Sequence, residues 1–171
     1  KCDAPSKDGK NDGVLIGPEG TATWTFVVPE EYSGNYTIEI VYCQADDHII
    51  DKSQADEEDK SGTSNAIERI FYLNGSFPFA EARTLVLNKV WKYNYKVEDG
   101  KNSFENESED GKGDDIRPSV YKDPSWVTYT ISDSNGYYVN PFEFYFKPGE
   151  NSISLEGQRE DVIIQSITLR P

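Results

Sequence analysis

The sequence predicts an all-β fold, an antiparallel β-sandwich with a long acidic insertion loop, on three observations. Apolar and polar residues alternate with period two over most of the chain, and no stretch of useful length has a helical period. Gly, Pro, Asn and Ser clusters separate seven or more short strand-like runs. The 171 residues fit one domain, residues 1–171. A domain of that size removes roughly 70% of its unfolded surface from water, whereas two halves would each have a thin core.

In TATWTFVVP, Ala22, Trp24, Phe26 and Val28 share one face and Thr21, Thr23 and Thr25 the other, the pattern of a half-buried strand. NYTIEIVYCQ places Tyr36, Ile38, Ile40 and Tyr42 together, and PEEYSGN between the two runs supplies hairpin turn residues. IERIFYLNG follows as a strand ending in a turn. Ile67, Arg69, Phe71 and Leu73 share a face there, so Arg69 points where an apolar residue is expected. The remaining strands are TLVL, SWVTYTI, PFEFYF, NSISL and DVIIQSITL, with KPGEN as a tight connection. Val162 and Ile164 share one parity, Ile167 and Leu169 the other, which predicts a bulge near Gln165 or Ser166.

Two segments break the pattern. Residues 44–64 are acidic and poor in large apolar groups and read as a mobile loop. Residues 94–125 form an insertion longer than a compact sandwich requires, its first half disordered in character and its second half, around DDIRP, tied down. A net charge of −14 repels nucleic acid and anionic membrane surfaces, and suits neutral glycans or cations. No apolar run has the length of a membrane span, so no membrane insertion is expected, and the N-terminus has no signal-peptide core. The absence of Met predicts a mature or excised segment of a longer protein. Cys2 and Cys43 are expected to pair, a bond worth about 4 kcal/mol in the chain-entropy model; the alternative is two unrelated thiols.

Enzyme chemistry has little to rest on. The single His48 lies in an acidic loop, neither GxSxG nor HExxH occurs, and acids this abundant read as solvated faces before they read as a catalytic pair. No catalytic residue is assigned. A structural calcium ion is the one cofactor the acidic loops suit, with Asp110, Asp114 and Asp133 as candidate ligands, because a hard cation wants several oxygens on adjacent loop positions beside Gly. The loop from Asn106 is not an EF-hand, since Arg117 occupies its twelfth position. Trp24, Phe26, Phe144 and Phe146 read as core. Trp91, Tyr93, Tyr137 and Tyr138 read either as a stacking platform for sugar rings or as cover for a sandwich edge. In the first case Asn140, Asp115 and Arg117 would bond hydroxyls. The charges Glu68, Arg69, Glu81, Arg83 and Arg159 read as structural ion pairs. Arg69 would meet Glu81, Asp114 or Asp115, and Glu68 would hold Arg83, Arg117 or Arg159, clamping DDIRP onto the sandwich.

The runs ATWTFVVPEEYSGNYTIEIVY, IERIFYLNG, SWVTY, PFEFYFKPGENSISL and VIIQSITL resemble carbohydrate-binding modules of families 6 and 35 in their order of strands and turns. That resemblance implies a jelly roll of galactose-binding-domain-like type. Gln165 stands where those modules often have Asp. IER (67–69), NG with PFAEAR (74–83), VW (90–91), DDIRP (114–118), GYY with PFEFY (136–145) and QRED (158–161) are similar to a second group. These are the N-terminal β-sandwich regions of some extracellular solute-binding proteins of Gram-positive sugar transporters. The two resemblances imply a non-catalytic extracellular or cell-surface carbohydrate-binding module or accessory domain. Its partner would be a glycan or a neighbouring domain of the same polypeptide. The alternative is a structural or protein-interaction domain of a solute-binding protein with no sugar binding of its own.

Overall fold

The computed structural model describes residues 13–45, 66–106, 112–122 and 125–171. The chain opens with strands β1 (Val14–Ile16), β2 (Thr21–Val28), β3 (Gly34–Gln44), β4 (Ile67–Leu73) and β5 (Thr84–Leu87). The insertion region holds β6 (Trp91–Tyr93), β7 (Lys96–Glu98), β8 (Lys101–Ser103), β9 (Glu105–Asn106), β10 (Asp115–Ile116) and β11 (Val120–Lys122). β12 (Val127–Thr130), β13 (Glu143–Phe146), β14 (Gly149–Arg159) and β15 (Val162–Arg170) complete it. The fold is all-β, its strands paired antiparallel, and no α-helix occurs among the described residues.

Two sheets dominate. One runs β1, β15, β3, with β12 and β13 lying end to end along the far side of β3; the other runs β2, β14, β4, β5. Alternation decides what lies between them. Ile38, Ile40, Tyr42, Phe144, Phe146, Val162 and Ile164 from the first sheet share one buried cluster with Ile67, Phe71, Leu85, Leu87, Ile153 and Leu155 from the second. Each side chain of this size contributes roughly 1.5–3 kcal/mol on full burial. Aromatic pairs join the sheets, Phe26 with Phe146 at 5.7 Å and Phe71 with Phe144 at 5.3 Å between ring centroids.

β2 and β3 do not form the expected hairpin. β2 pairs with β14 and β3 with β15, β12 and β13, so the PEEYSGN connection, with a short 3-10 turn at Glu30–Tyr32, carries the chain from one sheet to the other. Both strands have one apolar face, and those faces bury more against each other across the core than side by side in one sheet. The parity change in the last strand corresponds to a register shift between Ile164 and Ser166.

Over the described residues 94–106, where disorder was expected, the chain forms strands. β7 and β8 form a hairpin about Asp99 and Gly100, both in the left-handed region (φ 50° and 75°), which suits a tight two-residue turn. β9 pairs with β10, and β11 pairs with β6. Most of the 44–64 segment lies outside the described residues. Its first residue, Gln44, belongs to β3 and is buried: its amide donates to the Val90 carbonyl at 3.2 Å and its oxygen accepts the Val90 N–H at 2.9 Å. Cys43 is buried and disulfide-bonded; Cys2, the only other cysteine in the sequence, lies outside the described residues.

Arg69 is fully buried on the core face of β4, and its partners are not the carboxylates expected. Nη1 donates to the carbonyls of Glu68 (2.6 Å) and Arg159 (2.8 Å), and Nη2 to those of Ile16 (2.7 Å) and Glu160 (2.6 Å). Arg69 sits where β1 ends and β14 turns into β15, so four backbone carbonyls converge on one guanidinium. Burial pulls its pKa down to about 10, opposed by the charges of Asp161 and Glu160, and it stays protonated at neutral pH. The charge therefore ties three strand ends together and does not clamp the insertion. Of the other charges expected to pair, Glu68 and Arg159 lie 3.8 Å apart, while Arg83 caps Phe77 at 4.6 Å from the ring centroid.

Candidate functional site

The candidate site grows from an interruption in an edge strand. β12 pairs with Glu39–Tyr42 of β3 and β13 with Gly34–Thr37, so the two lie along one line, and residues 132–142 leave that line and return to it. The Ile131 N–H donates to the Ile38 carbonyl, and the Phe142 N–H donates to the Ile131 carbonyl, both at 2.9 Å, which closes the base of the loop.

Asp133 shapes the loop above that base. Its Oδ1 accepts the Asn135 N–H at 3.0 Å, and its Oδ2 accepts the N–H groups of Tyr137 (2.6 Å) and Tyr138 (3.2 Å). Gly136 makes the turn with φ 74°. These bonds, the one from Asn135 foremost, hold the Asp133 carboxyl below its ordinary pKa against the opposing effect of burial. A carboxylate with both oxygens bonded to backbone N–H groups is a loop organiser, and that is the role the structure gives Asp133. Among the described residues no group of three or more His, Cys, Asp or Glu is placed to hold a metal ion. Asp114 is exposed just before β10, and Asp110 lies outside the described residues.

Because the folded pKa of Asp133 is depressed, the stabilisation is complete above the ordinary value, 3.8, and lost as pH falls through the lower folded value. Asp133→Ala is expected to speed hydrogen exchange at the amides of Asn135, Tyr137 and Tyr138 with little change in global melting. Acidification of the parent should reproduce that local loosening. Unchanged exchange in the variant would overturn the assignment.

The loop presents Tyr137 and Val139 to solvent, 84% and 96% exposed, and turns Tyr138 over a cleft of ≈ 490 Å³. Phe79 and Phe142 form the aromatic floor, edge to face at 5.0 Å, with Phe79 stacked at 5.6 Å on the buried Phe144. Tyr138 meets Phe142 edge-on at 6.3 Å, and Glu81, Asn140 and Glu143 complete the rim. Glu81 therefore stands at this cleft, on the 3-10 turn Ala80–Ala82. Phe79, Phe142 and Glu143 were not singled out by the sequence. A faint signal exists in the Pro that precedes each Phe, Pro78 and Pro141, where an apolar residue follows a chain break.

The other expected ligand residues lie on β6 and on the insertion that follows it. Arg117 donates from Nη2 to the Tyr93 hydroxyl at 3.0 Å and lies 5.6 Å from the centre of that ring. Tyr93 also contacts Tyr95, which contacts Phe104. Asp115 accepts from Asn106 at 3.2 Å, and Trp91 is half-buried at the start of β6. Arg117 covers one face of Tyr93, so these aromatics pack the insertion together more than they offer a free shelf. The expected ligand set is thus divided, Tyr137, Tyr138 and Asn140 on the edge loop, Trp91 and Tyr93 on β6 beside the insertion, and Asp115 and Arg117 on the insertion.

Fold and site together define an all-β, antiparallel two-sheet domain with an aromatic, carboxylate-rimmed cleft beside an edge-strand loop. No family model, curated protein or solved structure matches the chain. Among the described residues, no helix is long and apolar enough to cross a membrane.

Proposed function

We propose that the domain is a non-catalytic extracellular module of jelly-roll type that binds carbohydrate through the cleft beneath Tyr138. The observation that carries this reading is the pairing of aromatic faces with a polar rim in one concave site, Phe79, Phe142 and Tyr138 against Asn140, Glu81 and Glu143. A pyranose has a C–H face that stacks on such rings and hydroxyls that reach such a rim. The jelly-roll assignment is supported by the way successive strands alternate between the sheets, β1 to β2 to β3 to β4 and again β13 to β14 to β15. A disulfide-bonded Cys43 fits an oxidising compartment outside the cytoplasm.

A cleft this open binds weakly, with dissociation constants of about 1 μM to 1 mM. It acts by holding a neighbouring domain near a glycan surface. Titration with a broad glycan panel should give heat and a change in aromatic fluorescence that Tyr138→Ala removes, without loss of melting temperature. No response to any glycan would abandon the reading. It would favour the second one, an interaction domain without sugar affinity, which the apolar loop tip at Tyr137 and Val139 supports as a protein-contact surface.

A further inference from the structure

We infer that the ligand of the Tyr138 cleft carries a protonated amine, so that the class it takes is cationic amino sugars in preference to neutral or acidic ones. The inference rests on the carbohydrate reading and narrows it. Of the described residues lining the cleft, Glu81 and Glu143 are acids and none is Lys, Arg or His. Ionised carboxylates only accept hydrogen bonds. Asn140 and the Tyr138 hydroxyl are the rim groups able to donate from a side chain, so the cleft is rich in acceptors and asks its ligand for donors. A hydroxyl supplies one; an ammonium supplies three, with a charge. The floor makes the same demand independently. Phe79, Phe142 and Tyr138 all line the cleft, and the quadrupole of an aromatic face attracts a cation. A neutral N-acetylated sugar would stack as well but leave the carboxylates facing no positive group. An acidic sugar would meet like charge on the rim, within a chain of net charge −14.

The test uses the whole chain and three short oligomers of matched length: β-1,4-linked glucosamine, its N-acetylated counterpart, and galacturonate. Mildly acidic buffer keeps the amines of the glucosamine oligomer protonated. Glucosamine oligomers are expected to bind about fivefold or more tightly than the acetylated ones, with the margin shrinking as salt is raised. The double variant Glu81→Gln, Glu143→Gln should bring the two affinities together while the melting temperature holds. Tyr138→Ala keeps both carboxylates and should still lose glucosamine binding. If it binds as the parent does, attraction is the diffuse effect of net charge and the inference is overturned. Equal or tighter binding of the acetylated oligomer overturns the inference and leaves the carbohydrate reading standing. Silence from all three oligomers and from the wider panel overturns both.

Discussion

Arg69→Ala is expected to cost about 3–5 kcal/mol of unfolding free energy, enough to leave the domain partly unfolded at physiological temperature. The guanidinium stands on the core face of β4 with none of its surface exposed and serves four carbonyls, those of Ile16, Glu68, Arg159 and Glu160. Removing it strands those acceptors, at about 1–3 kcal/mol for each that water cannot reach. It also leaves Asp161 without the cation that offsets its burial. Two effects oppose each other, since the buried charge is itself unfavourable, as the fall of its pKa to about 10 records. Four charge-assisted bonds decide the balance in favour of retention. A graded series tests this. A lysine in its place supplies three donors from a point and cannot reach four carbonyls in a fork, so Arg69→Lys should fall between parent and Arg69→Met, with Arg69→Ala lowest in urea midpoint. Equal midpoints for Arg69→Met and the parent would show that filled volume, not the carbonyl network, holds this end of the fold.

Period-two alternation made much of this architecture readable. The faces of β2 and β3 follow from parity, as do the burial of Arg69 and the bulge in β15, because side-chain direction in a strand is set by backbone geometry alone. What parity does not encode is the neighbour. Ala22, Trp24, Phe26 and Val28 share a face whether β2 pairs with β3 or faces it across the core, so the hairpin and the sheet crossing leave the same trace. Arg69 shows the same gap, since its partners are backbone carbonyls, which have no residue type to be recognised by. At Asp133 the residue was visible and its role was not. An acid followed by Asn and Gly in SDSNGYY suits calcium or a loop folded onto its own carboxylate, and only the positions of three N–H groups reveal the second role. Tyr138 and Asn140 were legible as exposed polar and aromatic loop residues. Phe79 and Phe142 were not, since a Phe flooring a cleft and a Phe inside a core have the same sequence pattern.

Gly157→Ala is expected to destabilise the domain by about 3 kcal/mol or more, although it adds one methyl group. Gly157 lies in β14 opposite Arg69, just before the register shift that ends with Arg159 opposite Glu68. A Cβ there would collide with the Gly17 carbonyl oxygen and stand 2.8 Å from both the carbonyl carbon and oxygen of Pro18. The obstacle is backbone, which cannot swing aside as a side-chain tip can. The turn is held on both sides, by the Gly20 N–H donating to the Gly17 carbonyl at 3.0 Å and the Gly157 N–H donating to the Gly20 carbonyl at 2.7 Å. Moving it would draw away Ile16, whose carbonyl is one of the four on Arg69. Gly75→Ala provides the contrast. Its φ is 76° and nothing lies within 4 Å of the added atom, so it should lose only about 1 kcal/mol, from backbone strain without collision. Because Gly157 and Arg69 support the same turn, Gly157→Ala combined with Arg69→Ala should cost less than the two single losses added together. Urea unfolding of the parent, these three single variants and the double variant measures both points. A Gly157→Ala variant no weaker than Gly75→Ala would mean that the turn yields freely, and simple additivity would mean that the glycine and the guanidinium hold separate parts of the fold.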